Sequence, residues 1–464
     1  MAVAFVGSRM VAHLSGVVYQ PAVNRSWKLL DVEWLRTDLS GSLWHLHSQP
    51  PLNNFLLGAV GKLAPGWEAT VFHFAYMALG LLAAIALVVL LHRLGATSGI
   101  ATAAALLFVL SPDALLHEHN MGADYPVAVA LVFSAWAVQR YGTRPTVRDG
   151  LLATTLVAVP ALIWSLFHLL WVVGVLAVLV VMAPNRRRTL VVAALPLLLV
   201  GGWYAKNLIV FNEFGASTWL GMSLHRIATA EVPEEEVDRL IAEDRVSPIA
   251  AVPAFQPLGA YSEFVTMPDP PGHPAVDELW RGNIPNYNHV GYIAVSRAYQ
   301  DAAITIMRTH PQAYGRAVVK GVCRYFRPVA EDADGVLDNN LQAIASYTRL
   351  YHGVVYGQLR PPPVPDVPCG IRDIYEFPAL LPVLFAAAVA AATWGTMRAD
   401  GTPASRMTMA FVLLALLWPT VVGNVVEHGT TNRFRLPTLA LMWVALAFFA
   451  DHLRTKRTKP PMPR

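Results

Sequence analysis

The sequence predicts an all-α fold: a polytopic transmembrane helix bundle of about ten crossings, with extracytoplasmic loops and a long helical and irregular external segment. Three observations lead there. Of 464 residues, 55% are hydrophobic and only 14% are charged, with a positive mean hydropathy, outside the usual balance of a soluble domain. Long apolar runs recur along the chain. Lysine and arginine gather in some of the short connections between those runs, and acids, histidines and amides gather in the others.

A helical crossing needs about 20 mainly apolar residues. The clearest runs are Thr70 to Leu91, Gly99 to Leu116, Tyr125 to Gln139, Leu151 to Phe167, Leu169 to Met182, Leu190 to Phe211, Phe377 to Met397, Met407 to Val426 and Leu436 to Ala450. A weaker first run is Ala2 to Tyr19. Arg9 and His13 within it are costly in hydrocarbon, so this run either faces a protein interior or is shorter than drawn. A start codon placed downstream of the true one would account for it equally. No cleavable leader is evident, because the first 20 residues lack a basic stretch and a small-residue cleavage site. Leu52 to Ala64 is short and broken by Asn53, Asn54 and Lys62, and is expected to be a re-entrant or interfacial helix.

The basic connections are His92-Arg93, Arg140 to Arg148, Arg186 to Arg188, Arg398 to Arg406 and the tail Arg454 to Arg464. Basic short loops mark the cytoplasmic side, and ten crossings put all five there. The other face then receives Gln20 to Pro51, His117 to Asp124, Trp164 to His168, Asn212 to Glu376 and Glu427 to Arg435. The chain divides accordingly into an N-terminal transmembrane region with external loops (1–211), an extracytoplasmic segment (212–376) and a C-terminal transmembrane region with a basic cytoplasmic tail (377–464). In the external segment, Glu231 to Pro274 reads as a surface excursion with a short helix at Glu234 to Ala242. Val290 to Phe326 reads as one or two amphipathic helices on the membrane region, and Pro361 to Pro368 as a stiff linker. The expected location is a cell membrane. Abundant alanine, valine and arginine point to a high-GC bacterium.

Composition excludes several function classes. Two cysteines, Cys323 and Cys369, make neither a disulfide framework nor a zinc-ligand spacing. A net charge of +4, without a basic face carrying base-reading elements, argues against nucleic acid as a partner. No internal repeat is visible, which weakens readings built on repeated transporter halves.

The polar motifs fall on the acid-rich face. The segment LWHLHSQPPLN, Leu43 to Asn53, sets His45, His47 and Gln49 ahead of Pro50-Pro51 at a membrane edge. The prolines stiffen the backbone there, so His47 and Gln49 either line a site or simply lead into the next helix. Asp31, Glu33 and Asp38 precede them. A half-buried carboxylate can act as a general base on a hydroxyl; the ordinary alternative is a surface helix from Asp31 to Trp44 with its acids in water. His117, Glu118, His119, Asn120 and Asp124 form a second cluster. Residues two apart do not share a helix face, so a metal site there would need a loop. Proton transfer and phosphate contact are the roles that fit it better, with a solvated turn as the ordinary alternative.

His168 sits at a junction between crossings and suits an interior hydrogen bond. Lys206 stands in an aromatic belt with Trp203 and Tyr204, where it could pair with a lipid phosphate. The last external turn, GNVVEHGTTNRFRLP, sets Glu427, His428 and Asn432 before Arg433 and Arg435. The planar fork of arginine suits phosphate, and the outer face offers no positive-inside reason for two of them. Pairing with nearby acids is the competing account.

Read in order, DVEWLRTDLSGSLWHLHSQPPLNNFLLG, HEHNMGADYPVA, SLFHLLW, WYAKNLIVFNEFGASTWLGM, NYNHVGY and EHGTTNRFRLP resemble multi-span glycosyltransferases of the GT-C type. The group concerned is similar to protein mannosyltransferases and lipid A aminoarabinose transferases, and HSQPPLNN is the most specific of these stretches. The resemblance implies a polyprenyl-phosphate sugar donor, a glycan, lipid or protein acceptor, transfer on the extracytoplasmic side, and an acid in the first external loop as base. Family members often carry that acid soon after the first crossing, whereas Tyr19 to Leu30 contains none. Asp31 and Asp38 are then the nearest candidates, with Glu118 as companion acid. His47, Gln49, His117, His168, Lys206, Glu427, Asn432, Arg433 and Arg435 are the candidate substrate contacts. No cofactor is specified, and a divalent metal is left open. The competing function is a transporter or flippase of a lipid-linked glycan, which would need ionisable groups along a mid-membrane path.

Overall fold

The computed structural model describes every residue except 22, 24, 25, 328–337, 359–377, 399, 430 and 459–464, and for 338 and 456–458 it describes the backbone only. The expected linker Pro361 to Pro368, Cys369 and the end of the basic tail lie outside the described residues.

Apart from one two-residue hairpin, Trp280–Arg281 with Ile284–Pro285, the described elements are helices. Among the described residues, five are long and apolar enough to cross a membrane: Glu68–Arg93, Arg186–Phe211, Leu380–Met397, Pro403–Val426 and the last helix, Leu436–Thr458. The count is six if the bent pair Ser98–Val109 and Pro112–Glu118 is one span. About ten crossings were expected, and length explains most of the difference. Val147–Ile163 and Leu169–Met182 have 17 and 14 residues, roughly 26 and 21 Å of helix against a hydrocarbon core of about 30 Å. Asp124–Thr143 is long enough but carries Asp124, Gln139 and Arg140.

The bend follows from the local sequence. After Leu110, Ser111 accepts a hydrogen bond from Ala114 N at 3.1 Å, Pro112 takes the first helical position, and Asp113 lies in the first turn. Cap, proline and acid are the signals of a new helix, so the expected run Gly99 to Leu116 breaks and turns by 56°. The short limb, Pro112–Glu118, carries an acid near each end.

The first helix is Ala2–Leu14, shorter than the run drawn from sequence. Asp31 to Trp44 forms two short helices, Val32–Thr37 and Leu39–Trp44, and Leu52–Leu63 follows the paired prolines. Within residues 212–376 Glu234–Ala242 is helical as expected. The Val290 to Phe326 stretch is two helices, Gly291–Thr309 and Pro311–Tyr325, divided where Pro311 cannot continue the first. Gly291–Thr309 buries Tyr292, Val295, Tyr299, Ala302 and Ile306, the three-to-four spacing of one helix face.

The ends of the bundle differ in charge. At one end Arg93 reaches Gln139, Arg188 donates to Pro145 O, and Arg454 donates to Thr97 Oγ1 at 3.1 Å. Arg93, Arg140 and Arg144 also share a cavity with Thr402 to Ala404. All five basic connections therefore meet. At the other end Gln20 pairs with His119 and Met121 backbone, His47 with Thr218, and Ser223 with Glu427.

Candidate active site at the acid-rich end

The His-Ser-Gln-Pro-Pro segment is held by side chains far away in sequence. Asn288 Oδ1 accepts from His47 N at 2.9 Å and Ser48 N at 3.0 Å, while its Nδ2 donates to His45 O at 3.1 Å and Ala275 O at 2.9 Å. One buried amide thus uses all four of its hydrogen-bonding positions. His47 Nδ1 meets Thr218 Oγ1 at 2.8 Å, and Thr218 N donates back to His47 O. Lys206 Nζ donates to Leu46 O and lies 3.8 Å from the centre of the Trp203 ring. Burial, with the Lys206 charge nearby, pushes the pKa of His47 down to about 3, so its ring is neutral. His47 and Lys206 are parts of one buried framework. Gln49 is also buried, with no side-chain hydrogen bond to a described residue.

Asp31 and Asp38 are helix N-caps. Asp31 accepts from Glu33 N at 2.8 Å, and Asp38 accepts from Gly41 N at 2.8 Å and Ser40 Oγ at 3.1 Å. These bonds hold the Asp38 carboxyl below its usual range, helped by His273 at 3.7 Å. Asp38 is 55% exposed. The loop before Asp31 is fixed on both sides. Arg281, buried, donates to Val23 O, Ser26 O and Leu30 O, and Asn54 bonds Lys28 O and Leu30 N.

Glu118 lies deeper. Arg9 Nε and Nη2 reach its two oxygens at 2.9 and 2.6 Å, and Tyr125 Oη donates to Oε2 at 2.6 Å. Arg9 also donates to Val109 O at 2.7 Å. Gly80 makes room for this triad: a Cβ there would stand 2.2 Å from Tyr125 Oη and 2.7 Å from Glu118 Oε2. The first helix therefore does face a protein interior at Arg9. His117 is buried beside Glu118 on the short limb, and His119 Nδ1 is bonded to Leu115 O. Among the described residues no group of three or more His, Cys, Asp or Glu side chains could hold a metal ion.

The final turn separates the two arginines. Arg435 is buried, donates to Tyr325 O and Arg327 O, and meets Asp113 Oδ2 at 3.3 Å. Arg433 makes no side-chain hydrogen bond or ion pair to any described residue; its guanidinium lies 5.9 Å from the Trp164 ring centre and 5.7 Å from that of Phe434. Lys28 Nζ lies 4.8 Å from the same Trp164 ring. Asn432 Oδ1 caps Arg433 N at 3.0 Å. Glu427 is engaged by Ser223 Oγ at 3.1 Å, Arg226 at 3.4 Å and His428 N at 3.1 Å. The His168 ring packs edge-on to Trp418 at 5.0 Å.

The structure thus brings Lys28, Trp164 and Arg433 together, with Asp31 three residues beyond Lys28. It places Glu118, Lys206 and Arg435 in separate buried networks. Lys28, Thr218, Arg281, Asn288 and Asp113 were not singled out from sequence. Asn288 stands within NYNHVGY, where three polar residues ahead of an amphipathic helix were the available signal.

No protein-family model matches this chain, and no curated protein does. Among solved structures it is similar to the crystal structure of ArnT from Cupriavidus metallidurans bound to undecaprenyl phosphate, at 15% identity and a TM-score of 0.34. It is also similar to the apo state of that protein, at 15% identity and a TM-score of 0.31. Each comparison covers 100% of this chain and 81% of the other. The chemistry of the site therefore rests on its own residues.

Proposed function

We propose that this chain is a membrane glycosyltransferase that moves a sugar from a polyprenyl-phosphate-linked donor to an acceptor hydroxyl on the extracytoplasmic face, with a carboxylate as general base. The observation that carries this reading is the Arg433 guanidinium, held against Trp164 without an acid or carbonyl of its own among the described residues. A cation kept at a membrane-edge site without such a partner is suited to an anionic ligand.

In the proposed reaction a carboxylate takes the proton of the acceptor hydroxyl as its oxygen attacks the anomeric carbon. The bond from that carbon to the lipid phosphate breaks, and the electron pair leaves with the phosphate. Arg433 offsets the developing negative charge, and Lys28, on the same ring, adds to the positive field. Asp31 is the favoured base. It accepts one backbone hydrogen bond and keeps free lone pairs, and its Cα is at most about 11 Å along the chain from that of Lys28. Asp38 is the alternative base, while Glu118 is already committed to Arg9 and Tyr125.

The test is transfer of a labelled sugar from polyprenyl-phosphate donors by the purified protein in lipid nanodiscs. Loss of a general base typically costs 10²–10⁴-fold in rate, so Asp31→Asn is expected to fall by about that factor with the unfolding temperature unchanged. Wild-type rates in both Asp31→Asn and Asp38→Asn would overturn the base assignment. Failure of every polyprenyl-phosphate sugar to act as donor would overturn the function.

A further inference from the structure

The opposite end of the bundle carries a feature that sugar transfer does not use. Where Glu68–Arg93 ends, Asp124–Thr143 ends and Pro403–Val426 begins, a cavity of about 610 Å³ is lined by Arg93, Gln139, Arg140, Arg144, Thr402 and the start of the last-named helix. A second cleft of about 380 Å³ adjoins it through Arg140 and adds Arg148 and Asp149. Four arginines and one aspartate leave three positive charges over the two clefts. Asp149 is already taken, by Arg140 Nε at 2.6 Å and Thr146 Oγ1 at 3.0 Å.

Two of these cations have little to hold them within the protein. Among the described residues Arg144 makes no side-chain hydrogen bond or ion pair, and Arg93 makes one hydrogen bond, to Gln139 Oε1 at 3.5 Å. The floor is rigid. Gly142 lies so close to the neighbouring helix that a Cβ there would stand 2.6 Å from Ala404 Cα, and Thr402 caps that helix by accepting from Ser405 N at 3.1 Å. The positive end of its dipole faces the same space.

We propose that this basic pocket binds a phosphate-bearing anion, presented as the headgroup of an anionic membrane lipid. Like-charged guanidinium groups gathered around a cavity repel one another, and a phosphate diester satisfies several at once. Basic pockets between membrane helices take anionic headgroups for this reason. The site lies at the end of the bundle opposite Arg433 and is independent of the donor phosphate.

The test uses the full chain in neutral detergent, titrated with short-chain phosphatidylglycerol, short-chain phosphatidylcholine and inorganic phosphate, and followed by native mass spectrometry. Phosphatidylglycerol is expected to saturate one site, with affinity at least about tenfold lower in the Arg93→Gln/Arg144→Gln double variant. The comparison variant, Arg186→Gln/Arg187→Gln, removes the same charge outside the pocket and is expected to bind as the parent does. Saturable inorganic phosphate lost in the same double variant would assign the pocket to a soluble phosphate and overturn the lipid. Equal binding of phosphatidylcholine, or an equal loss in both double variants, would overturn the pocket altogether. Arg93 and Arg144 are exposed, so unfolding temperature separates a binding defect from a folding one.

Discussion

The guanidinium of Arg9 meets the carboxylate of Glu118 fork to fork, across 109 residues of chain, with side chains only 2% and 0% exposed. A pair this deep is hard to break from one side, because the remaining charge has no solvent to turn to. Glu118→Gln is expected to cost about 3–5 kcal/mol of stability, read as a large drop in unfolding temperature, and Arg9→Met/Glu118→Leu is expected to recover most of it. A Glu118→Gln protein that melts like the parent but transfers no sugar would return this residue to the reaction.

Arg433 and Arg435 are expected to give opposite results. Arg433→Gln removes a cation that supports no described element, and should lower transfer by about 10–100-fold, chiefly through weaker donor binding and leaving-group stabilisation, with the unfolding temperature kept. Arg435→Gln takes the guanidinium away from Asp113 and removes its hydrogen bonds to the carbonyls of Tyr325 and Arg327. It is expected to destabilise the protein by about 3 kcal/mol or more. Equal behaviour of the two variants in transfer and melting assays would remove the distinction.

Asn288→Ala tests what shapes the His-Ser-Gln-Pro-Pro segment. It strips four hydrogen bonds at once, and buried groups left unsatisfied cost about 1–3 kcal/mol each before relaxation. The expected outcome is a clear fall in unfolding temperature together with proteolytic opening near residues 45–50. If Asn288→Ala leaves both unchanged, something else holds that segment.

Three histidines give the protein an acid limit. Burial pushes His47 down to about 3 and His225 to about 4, and burial with Arg324 and Arg226 nearby pushes His428 to about 4. Each binds its proton more readily when unfolded, so its contribution is complete above about pH 6.5 and is lost as pH falls toward the folded value. For the fully sealed His47 the slope is about 1.4 kcal/mol per pH unit through that window. Unfolding temperature measured from pH 7.5 to 4.5 should therefore fall steeply, and His47→Gln should flatten the curve. A profile flat over that range would show these rings to be open to water.

Helices were legible wherever the signal is local. Glu234–Ala242 follows from residues within one turn, and so in retrospect do the break at Pro311, where one or two helices had been left open, and the Ser111-Pro112-Asp113 restart that split an expected span. Span number was less legible, because apolar runs of 14 to 17 residues look alike whether or not they match a bilayer. Least legible were the partners. Nothing near His47 points to Asn288, 241 residues away, and Arg433 and Arg435 read as a matched pair. They fall in a 3-10 turn, Thr431–Arg435, where three residues complete a revolution and two positions apart means different directions. One faces the aromatic site and the other the core.

The short limb Pro112–Glu118 also sets an order of assembly. Its Glu118 finds a partner already synthesised, since Arg9 precedes it. Its Asp113 depends on Arg435, 322 residues later, so that carboxylate lacks its guanidinium partner until the last turn has emerged. Seven residues thereby join the beginning and the end of the chain. A chain that stopped before residue 435 would bury the Asp113 carboxylate without the guanidinium that faces it here.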